Sequence, residues 1–128
     1  MVTIKSFTDI SQSKKLAEIL PIESADMHYC LEKRDVKTGY EIGTTPFIKA
    51  KRFEGKCNIV NVQPAWSIAA LLEQLPYPQL SKDKLGSGKV GWIVSVYPSN
   101  CRYDSNWHDN PIDACVAMIE KLHELNLL

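Results

Sequence analysis

Apolar and polar residues recur along this chain on two periods, near 3.6 and near 2, and the changes between them mark its elements. Ile10, Leu16, Ala17, Ile19 and Leu20 form an apolar stripe, with Lys14, Lys15 and Glu18 on the watery side, which predicts a helix from Asp9 to Leu20. Asp9 can accept from the free first-turn amides, and Gln12 stands three residues on, as in a capping box. Pro21 ends the helix, because it has no amide to donate and disfavours helix at the residue before it. Ile22 to Asp26 reads as a turn or a short helical piece. Met27 to Leu31 reads as a strand with His28 and Cys30 on one face and Met27, Tyr29 and Leu31 on the other.

Lys33 to Gly39 is polar and ends in Thr38-Gly39, a turn signal, after which Tyr40-Glu41-Ile42 begins a second strand. Phe47 to Phe53 alternates imperfectly, Glu54-Gly55-Lys56 interrupts it, and Cys57 to Val62 resumes a β-type run. Pro64 to Leu75 predicts a second helix. Pro64 suits its first turn, and so few polar residues interrupt it that it should be central and buried. Residues 79–89, with Gly86-Ser87-Gly88 at the tip, look like a loop. Val90 to Tyr97 is the best strand, with Val90, Trp92, Val94 and Val96 on one face. Pro98-Ser99-Asn100 would turn it back through Cys101-Arg102-Tyr103 as a hairpin. The last helix starts at Asn110: asparagine caps it, Pro111 takes the first helical position, Asp113 meets the dipole, and Ile112, Cys115, Val116, Ile119 and Leu122 make its core stripe.

The order helix, strands, helix, strand hairpin, helix lacks the regular alternation of βαβ units. It predicts an α+β fold: three helices packed on a small, mainly antiparallel sheet. The expected core is Leu16, Leu20, Trp66, Ile68, Leu71, Leu72, Trp92, Val94, Val116, Ile119 and Leu122.

At 128 residues the chain fits a single globular domain, residues 1–128. Its apolar share, 45%, suffices for a core, and its charged share, 23%, is that of ordinary globular proteins, which excludes wholesale disorder. Formal net charge is zero, so the whole chain is not an electrostatic nucleic-acid binder. The charge is uneven: three Lys against five Asp/Glu in residues 1–32, ten Lys/Arg against five in 33–89, and two against five in 90–128. No useful apolar run follows Lys5, as a secretory signal needs, and no stretch approaches the ~20 apolar residues of a membrane span, so the expected setting is the cytoplasm.

Gly86-Ser87-Gly88-Lys89 fails as a phosphate loop: the six-residue spacing is not met, Val90 stands where a hydroxyl is required, and a strand follows where a helix should. Cys30, Cys57, Cys101 and Cys115 form no C-x-x-C pair and read as free thiols in a reducing compartment. His28 and Cys30 could offer two metal ligands from one strand face, but zinc needs three or four, so no metal or cofactor is expected. His123 suits the negative end of the last helix.

Three candidate sites remain. Cys101, His108 and Asp104 (or Asp109) are the residue types of a nucleophile, base and orienting acid, which a hairpin could bring together in a small hydrolase or transferase. Lys49, Lys51, Arg52 and Lys56, interleaved with Phe47 and Phe53, could grip phosphates and stack on bases, although the pattern also suits a core pair beside a solvated face. Trp107, flanked by His108 and Asp109 before a helix start, could anchor a protein partner or simply fold over the first turn. Leu125, Leu127 and Leu128 could pack internally or against a second copy. The favoured expectation is a non-enzymatic binding or accessory domain with a protein partner.

The segments LAEILPIESADMHY, PAWSIAALLEQLP and NPIDACVAMIEKLHEL, in this order, resemble a group of small uncharacterised proteins of Bacteroides-type gut bacteria, their prophages and mobile elements. The resemblance rests on Ala25-Asp26-Met27, on Pro64-Ala65-Trp66-Ser67 and on Asn110-Pro111-Ile112-Asp113-Ala114. It implies an intracellular protein of a bacterium or its phage, and brings no activity or site residue with it.

Overall fold

The computed structural model describes residues 5–50 and 59–128. The chain divides into two compact units: one is Asp9–Trp66, and the other joins the N-terminal residues up to Thr8 with Ser67–Leu128. The α+β class holds, with helices against antiparallel strands, and among the described residues the strands fall into two sheets, one of four strands and one of three.

In the unit Asp9–Trp66, helix α1 spans Ile10–Ala17. The predicted capping box is present: the Gln12 amide donates to Asp9 Oδ1 at 2.7 Å and the Asp9 amide to Gln12 Oε1 at 3.1 Å. Beyond Ala17 the chain tightens, with the Glu18 and Ile19 amides donating to the carbonyls three residues back, and Leu20 stays buried. A single 3₁₀ turn follows at Ile22–Ser24.

Strand β1 spans Met27–Val36, β2 Gly39–Ile42, β3 Phe47–Ala50 and β4 Ile59–Ala65. The C-terminal part of β1 forms a hairpin with β2, from Lys33↔Ile42 to Val36↔Gly39, and its N-terminal part pairs with both β3 and β4. β1 therefore runs past the predicted end at Leu31. Its extension, Glu32 to Val36, is polar but for Val36, so no alternation of apolar residues announces it. His28 and Cys30 are buried together, as their shared face requires. α1 packs on β4, where the Gln63 amide donates to the Ser13 carbonyl at 3.3 Å. The fully buried Trp66 donates its indole N–H to Ser24 Oγ at 2.9 Å.

The second helix, α2, spans Ile68–Glu73, later and shorter than Pro64 to Leu75. Pro64 and Ala65 belong to β4, opposite His28 and Met27; among the described residues β4 pairs with β1 alone, and a proline needs no ladder donor on the side away from a partner strand. Ser67 is the cap: its hydroxyl accepts the Ala70 amide at 3.3 Å. Ala70 and Leu71 are buried, Ile68 and Leu72 are half-buried and Ala69 is exposed, so α2 is not the all-round buried helix predicted.

In the unit holding Ser67–Leu128, strands β5 (Gln79–Lys84), β6 (Val90–Val96) and β7 (Tyr103–Asp104) form a sheet in that order. β5 replaces half of the predicted loop. It pairs with β6 from Gln79↔Ser95 to Lys84↔Val90, leaving residues 85–89 as the turn. Only Leu80 of β5 is partly covered, so no alternation announces it. Cys101 and Arg102 precede the returning strand, which begins at Tyr103.

Helix α3 spans Pro111–Glu124 and starts where predicted. Asn110 Oδ1 accepts the Asp113 amide at 2.9 Å, and Lys5 Nζ pairs with Asp113 at 3.0 Å. Its buried stripe, Ile112, Cys115, Val116, Ile119 and Leu122, lies against β6 and α2. The helix ends in two reversed bonds, Leu127 N–H to the Leu122 carbonyl at 2.8 Å and Asn126 N–H to that of His123 at 3.1 Å, around Asn126 at φ +58°. Of the predicted core, Ile68, Leu72 and Trp92 are half-buried and the remainder buried.

Candidate functional site at the returning strand

Residues 103–108 run antiparallel along β6 beyond the two residues of β7. The Ser105 amide donates to the Val94 carbonyl at 2.9 Å, while the buried Val94 amide donates to the Ser105 hydroxyl at 3.0 Å. Further on, Trp92 and His108 exchange both backbone bonds, at 2.7 and 2.8 Å. Between these points Ile93 of β6 faces two residues, Asn106 and Trp107, and this is a β-bulge.

The bulge sorts the side chains. Directly paired residues share a sheet face, so Ser105 and His108 lie on the face of Trp92, Val94 and Val96. That face meets α3, since Lys121 Nζ sits 6.0 Å from the ring of Tyr103, which pairs with Val96. His108 Nε2 is buried there and has no hydrogen-bond partner among the described residues. Trp107 goes the other way. Its ring lies over Gly91, where an added Cβ would come within 3.0 Å of both Trp107 Cε3 and Leu85 Cδ1. It remains 45% exposed, and Asp109 beside it is exposed too. Trp107 thus rests on the sheet and does not cover the start of α3, and of the three predicted partner residues His108 turns away from the other two.

Cys101, His108 and Asp104 are not brought together. Asp104 pairs with Ser95 and His108 with Trp92, positions ~10 Å apart along β6 at ~3.3 Å per residue. Cys101 lies further out, before Tyr103, and is exposed. Asp104 is engaged elsewhere: Ser95 Oγ donates to its Oδ1 at 2.6 Å and Arg102 Nε at 2.8 Å. The Ser95 hydroxyl first, then the Arg102 guanidinium, hold its carboxyl below the usual carboxylate range, and Asp104 in turn raises Arg102.

Among the described residues no three His, Cys, Asp or Glu gather as metal ligands, and the Cys30 thiol donates to the His28 carbonyl at 3.7 Å. Burial pushes the Cys115 thiol up to about 12, as suits a core residue. In the basic segment Lys49 is exposed, with Nζ 5.8 Å from the Phe47 ring; Lys51, Arg52, Lys56, Phe53 and Cys57 lie outside the described residues. Leu125, Leu127 and Leu128 are exposed.

Two features escaped the sequence reading. Gly91 is the seat of Trp107, and a glycine inside the best strand is the signal for such a close approach. Tyr77 stands 81% exposed at φ +49°, a backbone region unusual for a bulky residue. Its setting between Pro76 and Pro78 marks a turn without announcing that geometry.

The chain matches no protein-family model, no curated protein and no solved structure. Among the described residues no helix is long and apolar enough to cross a membrane.

Proposed function

We propose that this chain is a non-enzymatic binding or accessory protein of bacterial or phage origin that acts through a protein partner anchored on Trp107. One observation carries this reading: a bulge and a glycine seat hold a large aromatic ring half in solvent on a hydrogen-bonded sheet. Such a ring loses little freedom on contact and offers much apolar area, which is why tryptophan is enriched among the residues that dominate protein interfaces. The separation of Cys101 from His108 argues against the hydrolase or transferase reading. The free thiols of Cys101 and Cys115 suit the reducing cytoplasm.

A photo-crosslinking residue placed at position 107, in a lysate of the source cells, tests the proposal. The same residue at Glu124, exposed on α3, is the control. A discrete adduct from position 107 that excess unlabelled protein suppresses is the expected result. Equal adducts from both positions would refute it.

A further inference from the structure

Strand β5 pairs with β6 on one side and, among the described residues, with no strand on the other. The Leu85 amide donates inward to the Lys89 carbonyl at 2.7 Å, and backbone groups alternate sides along an antiparallel strand. Leu80, Lys82 and Lys84 therefore direct their amides and carbonyls outward. The Lys84 amide is occupied by its neighbour, Asp83 Oδ1, at 2.8 Å. The donor and acceptor of both Leu80 and Lys82, and the Lys84 acceptor, are presented to the open side.

The same three residues share one sheet face, beside Val94, Trp92 and Val90. Lys82 Nζ lies 5.3 Å from the Trp92 ring centroid, and Val90 is 45% exposed. One face of the open edge thus reads apolar, cationic, cationic. Addition of a second β5 about a two-fold axis must pair residues of like face. Centred on Lys82 it sets lysine against lysine, and centred on Asp83 it sets aspartate against aspartate and Lys82 against Lys84; centred on Ser81 it sets Leu80 against Lys82 and Gln79 against Asp83, which opposes no like charges but gives neither lysine an opposite charge.

We infer that the open edge of β5 receives an extended segment of the protein partner, with acidic side chains at two alternate positions, opposite Lys82 and Lys84, and an apolar one opposite Leu80. This rests on the reading that the chain works through a protein partner. Charge complementarity selects the acidic side chains, and the outward backbone groups select a polypeptide, because a nucleic acid has no ladder to offer. Leu85, which with Trp107 closes over Gly91, follows directly on β5, so the edge lies near the anchor.

The probe is an end-blocked peptide in which Glu, Glu and Val alternate with Thr, titrated into the ¹⁵N-labelled protein. The expected result is perturbation of the Gln79–Lys84 amides, with affinity falling roughly tenfold in Lys82→Glu/Lys84→Glu. Affinity should fall likewise for a peptide N-methylated on its ladder side, a control that needs no protein variant. A peptide with Lys for Glu should bind the double variant better than the wild type. Absence of perturbation at β5, equal binding of the N-methylated peptide, or displacement by a single-stranded oligonucleotide perturbing the same amides would each overturn the inference. In those cases the crosslinking at position 107 still decides separately whether a protein partner exists.

Discussion

The Val94 amide donates to the hydroxyl of Ser105, not to its carbonyl, while the Ser105 amide donates to the Val94 carbonyl. One side chain thus closes the ladder at the bulge that divides Trp107 from His108. Val94 is fully buried, so without the hydroxyl its amide has no water to turn to. Ser105→Ala should cost about 1–3 kcal/mol, with Ser105→Thr milder. Urea unfolding measures the loss, and faster hydrogen exchange at the Val94 amide locates it. Unchanged exchange there would mean that the hydroxyl is not the acceptor.

How far the fold was legible depended on whether side chains or backbone carried the information. The start and core face of α3 are legible, because Asn110, Pro111, Asp113 and the stripe through Leu122 each act through a side chain or ring that the sequence names. β5 is not, since Lys82, Asp83 and Lys84 are exposed and only register with β6 makes them a strand. Pro64 is ambiguous in sequence, because proline suits both a helix start and an edge strand. Trp107 was legible as a candidate residue, but its orientation was not. That orientation depends on a one-residue bulge, and a bulge leaves no periodic trace when the segment around it is polar.

Gly91 carries the seat of Trp107. A Cβ there would sit 3.0 Å from Trp107 Cε3 and Leu85 Cδ1, both ends of side chains that can move. Alanine also favours the strand over glycine by roughly 0.5–1 kcal/mol. Gly91→Ala should therefore leave stability within about 1 kcal/mol of wild type while lifting the Trp107 ring. A red shift in tryptophan emission, absent from the Trp107→Phe background, is the signature. A shift that persists in that background would assign the change to Trp92.

Asn126 ends α3 in the left-handed region at φ +58°. Asparagine tolerates this better than other residues with a Cβ, and glycine better still. Asn126→Gly should stabilise by about 0.5 kcal/mol and Asn126→Ala should destabilise by about 1 kcal/mol, through the bonds at Leu122 and His123. Thermal melts of the three proteins give the order; alanine equal to glycine would show that the turn is not held.

Asp104 makes acid stability readable at one residue. Its folded pKa is lowered by the Ser95 hydroxyl and then by Arg102. The contribution is present above the unfolded carboxylate value, about 3.9, and is lost as pH falls through the lower folded value. The group is exposed, so the effect is small. Urea midpoints of wild type and Asp104→Asn should converge as pH falls from 6 towards 2, with wild type the more stable at the upper end. Parallel curves would mean that the Ser95 and Arg102 contacts do not favour the ionised form.

The thiols report directly on the separation of Cys101 from His108. Cys101 is exposed, whereas Cys30 is buried and Cys115 is buried with its thiol pushed up to about 12. Thiolate is the reactive species, so native protein at pH 8 should take up iodoacetamide at Cys101 and leave Cys30 and Cys115 unmodified until urea exposes them. Peptide mass mapping distinguishes the positions. A base in contact with Cys101 would hold it partly ionised, and its labelling at pH 6 would then slow in His108→Ala. With Asp104 and His108 held opposite separate positions of β6, and Cys101 further out, the rate should be the same in the variant and the wild type. A slower rate in the variant would restore the pair as a catalytic candidate and count against a purely binding role.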